Sequence, residues 1–161
     1  MRPLTERAIR ASFVNCSKGA AKRLAVPTDL ADRPWPDLDF FGWRDPAARG
    51  RAYLVAESGD DLVGMTLRVA TPTGVARKNL CTLCLTTHTG DDIALMTARK
   101  SGKDGQQGNS VGAYLCADLA CSLYLRGKKA GGKRIEESLT LDEQIDRTLG
   151  NLAAFLRKVT G

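Results

Sequence analysis

Five cysteines and one histidine are the residues in this sequence whose types and spacing reach beyond ordinary packing. Cys81 and Cys84 enclose two residues, thirty-one residues separate Cys84 from Cys116, and Cys116 and Cys121 enclose four. Two close pairs set far apart are what a tetrahedral thiolate site requires, each pair supplying one edge of the tetrahedron. The first pair suits a tight knuckle at a hairpin end, where backbone N–H groups offset thiolate charge. Four protein sulfurs leave the ion no position for water or substrate, so the spacing implies one structural Zn2+ and no catalytic residues. Two alternatives stand beside this reading. His88 completes a Cys-x2-Cys-x3-His string and could replace Cys121 as fourth ligand, or the four thiols are buried without a metal. Cys16 lies apart, on a helical face with Ile9 and Phe13, and reads as a core residue. A Cys–His nucleophile is not indicated, because nothing in the sequence orients His88 toward a thiol in an open pocket.

The elements that must position the two pairs can be read around them. Residues 111–115 are an extended apolar run and 118–126 look helical, closed by Gly127, so Cys116 falls just before a helix and Cys121 in its early turns. Upstream, 53–57 and 62–69 form a β-hairpin turning at Ser58, Gly59, Asp60 and Asp61, and a second extended pair is expected around 76–84 and 93–99. Residues 101–110 carry three glycines among polar residues and read as an exposed loop. Thr5 and Ser17 can cap two short helices before Pro27. Residues 27–50 are broken by proline and glycine yet hold four of the nine aromatics, Trp35, Phe40, Phe41 and Trp43, which suggests a loop pinned by its rings. At the end of the chain Thr140 and Glu143 form a capping box, and Leu141, Ile145, Leu149, Leu152, Leu156 and Val159 make one apolar stripe of a docked helix. The fold class expected is α+β: an antiparallel β-meander carrying a treble-clef zinc finger, with short N-terminal helices and a C-terminal amphipathic helix. Two parts are expected, a short helical segment over 1–34 and the zinc-finger domain over 35–161.

The 161 residues, 43% hydrophobic and 26% charged, fit one globular unit and exclude disordered, collagen-like and coiled-coil chains. No run of about 18 apolar residues occurs and the N-terminus lacks a signal-like stretch, so a cytoplasmic protein without a membrane partner is expected. An odd number of cysteines in such a chain argues against a disulfide framework. The net charge of +6 is uneven: residues 97–134 carry eight Lys/Arg against two Asp/Glu, while the other segments are close to balanced. That excess favours an anionic partner, whether rRNA, the ribosome or an acidic protein face.

The strings LMTARKSG (95–102), GNSVGAYLC (108–116) and DLACSLYLRG (118–127), with DFFGWR (39–44), resemble the C-terminal treble-clef domain of the FBP family. These are the elongation factor G-binding proteins related to the fusidic acid resistance proteins FusB and FusC. The resemblance implies a non-enzymatic, monomeric protein whose zinc-bearing domain docks on elongation factor G and modulates its interaction with the ribosome, with release of the resistance type as one outcome. It also matches Cys81, Cys84, Cys116 and Cys121 to the family's four-cysteine zinc site. Contact residues do not carry over one by one. Exposed basic and aromatic groups expected beside the site, Arg99, Lys100, Lys103, Tyr124 and Arg126, are the candidates for the partner surface. The competing reading from the charge pattern is an RNA- or ribosome-binding zinc module acting through the 97–134 basic segment.

Overall fold

The computed structural model describes residues 1–71 and 79–161. Helix α1 (Glu6–Ser12) starts at Thr5, whose hydroxyl accepts from the Ala8 amide at 3.2 Å, and α2 (Lys18–Lys22) starts at Ser17, which accepts from Ala20 at 3.1 Å. Five strands follow: β1 (Phe40–Arg44), β2 (Arg51–Ser58), β3 (Asp61–Val69), β4 (Ile93–Arg99) and β5 (Ser110–Cys116). Each pairs antiparallel with the next, in the order β1-β2-β3-β4-β5, which is the expected meander. Three helices complete the fold: α3 (Gly102–Gln106) between β4 and β5, α4 (Cys121–Leu125) and α5 (Leu141–Thr160). No helix among the described residues is long and apolar enough to cross a membrane.

The β1–β3 part of the sheet is covered on both faces and sends alternate side chains to opposite cores, while β4 and β5 join only the first. Ala52, Leu54 and Ala56 of β2 join Met65, Leu67, Met96 and Leu115 under α5 and the cysteines. Tyr53 and Val55 point the other way, to a second core with Ile9, Trp35, Phe41 and Trp43. This explains why DFFGWR does not read as a strand in the sequence. A strand buried on both faces loses its polar/apolar alternation and becomes a continuous apolar run. Phe40 enters the first core and Phe41 and Trp43 the second, where Phe41 and Trp43 stack at 4.9 Å and Trp35 tilts against Phe41 at 5.1 Å. The rings are core plugs as expected, with Trp35 in a 3-10 turn and Phe40, Phe41 and Trp43 on a strand. Leu4 and Ile9 of the segment over 1–34 pack in the same buried cluster as β1 and β2.

Three further expectations change. The extended stretch at 76–84 begins in residues outside those described. Over 79–84 it is not a strand: Leu80 makes a single bridge to Thr87 around the Cys81–Cys84 turn, and β4 pairs instead with β3 and β5. The glycine-rich 101–110 loop contains α3. The stripe on α5 is rotated. The buried residues are Gln144, Thr148, Leu152, Phe155, Leu156 and Val159, whereas Leu141 and Leu149 are 38% and 40% exposed. Spacing of three and four fits two adjacent stripes on one helix, and only the surface beneath selects between them. The capping box itself forms, with the Glu143 carboxylate accepting from the Thr140 amide at 2.7 Å.

Candidate metal centre

The first cysteine pair sits on a turn closed by two backbone bonds, Leu85 N–H to the Cys81 carbonyl and Cys81 N–H to the Thr86 carbonyl, both 3.0 Å. The chain leaves this knuckle through Leu85 at φ 55°, a left-handed conformation that costs a non-glycine residue on the order of 1 kcal/mol. The second pair spans the junction from β5 to α4: Cys116 ends the strand, Cys121 opens the helix, and Leu119 between them also takes a left-handed conformation, φ 59°. Gly42 makes room for that junction. A side chain at position 42 would collide with Leu119, so only glycine lets the β5–α4 turn lie on β1. Gly127, φ 64°, ends α4 as expected.

These elements bring four sulfurs to one point. Cys81 and Cys121 are 3.7 Å apart, Cys84 and Cys116 are 3.7 Å apart, and all four lie within 4.8 Å of one another. Zinc–sulfur bonds of about 2.3 Å in a tetrahedron give an edge of about 3.8 Å, so the sulfurs fit a zinc ion and are far too separated for disulfides. Each cysteine is at most 1% exposed. Between themselves the thiols cannot all ionise. Hydrogen bonds from Cys116, Cys121 and Cys84 hold Cys81 far below the usual thiol range, while the bonds that Cys121 makes to Cys116, Cys81 and Cys84, with burial, push it far above. A dication that lets all four become thiolates resolves that competition.

The polar side chains around the sulfurs match this chemistry. The Thr86 hydroxyl lies 2.7 Å from Cys84 Sγ, and His88 Nε2 lies 3.4 Å from Cys116 Sγ and 3.2 Å from the Thr86 oxygen. Among the described residues Nδ1 is buried without a partner, whereas a proton on Nε2 has the Cys116 sulfur and the Thr86 oxygen within reach. His88 therefore stands behind Cys116 as a donor to sulfur, outside the group of four cysteines. Such donors reduce the charge on ligating thiolates. His88 packs edge-on to Tyr124 with ring centroids 4.6 Å apart, and Gly132 lies so close over both rings that a Cβ there would meet them at 2.8–2.9 Å. From α5, Asn151 Nδ2 donates to the Leu83 carbonyl at 2.9 Å and ties the knuckle to the helix. The sequence contains a partial signal that spacing of cysteines alone misses: Thr86 and His88 flank Thr87, and extended backbone puts alternate side chains on one side, while the left-handed Leu85 that turns them toward Cys84 is decided by the fold.

The expected partner residues are placed differently from one another. Tyr124 is 7% exposed and its hydroxyl donates to Asp118 at 2.8 Å, so it is part of the core beside the metal centre. Arg126 is no free surface charge. Its guanidinium donates twice to Asp39, at 2.7 and 2.8 Å, with 15% and 7% of the two side chains exposed. Arg99, Lys100 and Lys103 do lie near the surface, but at the wrong end of the sheet. Ile93 pairs with Cys116 whereas Arg99 pairs with Ser110, so six residues of strand, about 20 Å, separate the trio from the metal centre. Lys100 is ion-paired to Asp104 at 3.2 Å and Arg99 donates to the Gly105 carbonyl. Cys16 is half-buried, and burial raises its thiol above the ordinary value.

Comparison with known proteins agrees with this geometry. A family model described as the FBP C-terminal treble-clef zinc-finger matches residues 8–159. The structure of the fusidic acid resistance protein FusC has a similar fold, with a TM-score of 0.52 at 17% identity over 86% of this chain and 53% of that one. The chain thus spans about half the length of the FusC structure. No curated protein matches the sequence. With four clustered thiols forming one structural zinc site, the chain belongs to the FBP C-terminal treble-clef zinc-finger family.

Proposed function

We propose that this protein is a non-enzymatic binding module that docks on elongation factor G and modulates the factor's interaction with the ribosome, with release of the fusidic acid resistance type as one outcome. The observation that carries the reading is the closure of the metal centre: four cysteines at most 1% exposed leave the ion no ligand position for a reactant. A metal so enclosed acts by holding shape, and its product is a rigid surface. Family membership and the sequence resemblance supply the partner, and FusC, of similar fold, is itself a fusidic acid resistance protein. Within this reading Arg99, Lys100 and Lys103 form a contact site at the α3 end of the sheet. Ser101 braces that site on α5, its amide donating to the Val159 carbonyl at 2.8 Å and its hydroxyl to that of Thr160 at 3.0 Å. Tyr124 and Arg126 act indirectly, by holding α4.

The test is capture of purified elongation factor G, free and ribosome-bound, by the zinc-loaded chain after nuclease treatment. Binding is expected to persist, and Lys100→Glu with Lys103→Glu to weaken it mainly by slowing association while zinc content stays at one per chain. Absence of affinity for either form of the factor overturns the reading.

A further inference from the structure

The fold leaves unneutralised positive charge at a second place that the sequence does not suggest. Part of the excess of positive charge in residues 97–134 is cancelled from outside the segment, Arg126 by Asp39 and Lys128 by Asp37 at 2.7 Å, while Lys129 with Asp118 at 2.6 Å and Lys100 with Asp104 pair within it. Two of those carboxylates come from the 27–50 segment. A second group of cations that make no ion pair among the described residues gathers around α2. Arg7, Lys18 and Lys22 line an open groove of about 930 Å³ between α1 and α2. Arg23 and Arg68, with Arg51, line a second groove of about 880 Å³ on the other side of α2. All six are exposed.

The carboxylates in these two walls are already engaged. Glu6 is ion-paired with Arg10 at 2.7 Å. Asp45 is 8% exposed, accepts the Tyr53 hydroxyl at 2.6 Å and the amides of Ala47 and Ala48, and has Arg51 beside it. The result is a ridge with a basic groove on either side, on the sheet face opposite α5 and the zinc.

We propose that this ridge and its two grooves bind the phosphate backbone of RNA. The grooves are too large and too open for a small anion, and three of the five unpaired cations are arginines, whose planar forks match phosphate oxygens bidentately. A docking protein would need an apolar centre to its patch, as protein interfaces have. The larger apolar groups of the two grooves, Phe13 and Leu24, are half-buried, and the ridge between the grooves presents Lys18, Lys22 and Arg23, so the centre of this patch is charged. Recognition is therefore electrostatic and indifferent to base sequence. The inference does not rest on the elongation factor reading, since it uses different residues.

Fluorescence anisotropy of a fluorescein-labelled oligouridine titrated with the zinc-loaded full chain over a range of KCl tests it. Five phosphate contacts predict a slope of log affinity against log salt of about −3.5 for a single strand. Substituting Lys18→Gln, Lys22→Gln and Arg23→Gln together is expected to weaken binding at least ~10-fold at low salt and to reduce the slope by about 2, with thermal melting and zinc content unchanged. The pair Lys100→Gln and Lys103→Gln is expected to leave RNA affinity as it was. The proposal is overturned by an absence of RNA binding at low salt, by loss of binding in the Lys100/Lys103 pair and not in the α2 triple variant, or by equal competition from poly-L-glutamate, which would mark the ridge as a site for acidic protein.

Discussion

At the metal centre, ligand and neighbour are separable by substitution. Cys121→Ser removes one of four convergent sulfurs, and zinc content measured by elemental analysis is expected to fall well below one per chain. His88→Ala removes only a donor to the Cys116 sulfur, 3.4 Å away, and is expected to retain about one zinc while releasing it roughly 10-fold faster to a chelator. The reverse order of zinc loss would make His88 the ligand. Across the sheet, the Asp45–Tyr53 bond gives a second residue-level expectation. Burial and the bond to Asp45 push the Tyr53 hydroxyl up to about 12, so its contribution is whole below the unfolded value near 10 and is lost as pH rises through about 12. Tyr53→Phe is expected to cost about 1.5–3 kcal/mol in denaturant unfolding at neutral pH and to flatten this alkaline loss. Asp118 works in the opposite direction. Burial would raise it, but Lys129, the Ala120 amide and the Tyr124 hydroxyl hold it below the ordinary carboxylate range. Its contribution is present above about pH 3.9 and disappears as pH falls through the lower folded value.

Among the elements, α5 and α4 separate what periodicity can and cannot decide. Leu152 is 2% exposed, and Leu152→Ala is expected to cost about 2–5 kcal/mol, whereas Leu149→Ala, at an exposed position, is expected to cost under ~1 kcal/mol. Paired denaturant titrations check this, and a large loss at both positions would mean that α5 docks through the other stripe. For α4, Arg126→Ala strands the Asp39 carboxylate in a nearly closed environment, and a loss of about 3–5 kcal/mol is expected where a surface arginine would cost little. Weakened partner binding by this variant at full stability would instead make Arg126 a direct contact.

For the whole molecule, the zinc-side core includes all four ligands together with Leu152, Leu156 and Val159 of α5, so the ion holds together elements far apart in sequence. Structural zinc binding of about 10 kcal/mol or more is comparable with the entire stability of a small domain. Chelation is therefore expected to abolish the cooperative thermal transition, and a chelated chain that still melts cooperatively would show that the two cores suffice without the ion. The sequence by itself determined the local and periodic features: the helix caps at Thr5, Ser17 and Thr140, the β2–β3 hairpin, and the two cysteine pairs, because capping chemistry, alternation and ligand spacing act between near neighbours. Only the tertiary structure decided that DFFGWR is a strand, since burial on both faces erases alternation. The same holds for the α5 stripe, which is chosen by the surface it meets. It holds most clearly for charge. Lys and Arg counts along the chain pointed to residues 97–134, but Asp37 and Asp39 fold across to neutralise part of that segment. Around α2, Lys18, Lys22 and Arg23 are joined by Arg7 and Arg68, which become their neighbours only when α1 and β3 are laid beside that helix. Electrostatic potential depends on distances in space, and sequence separation does not encode them.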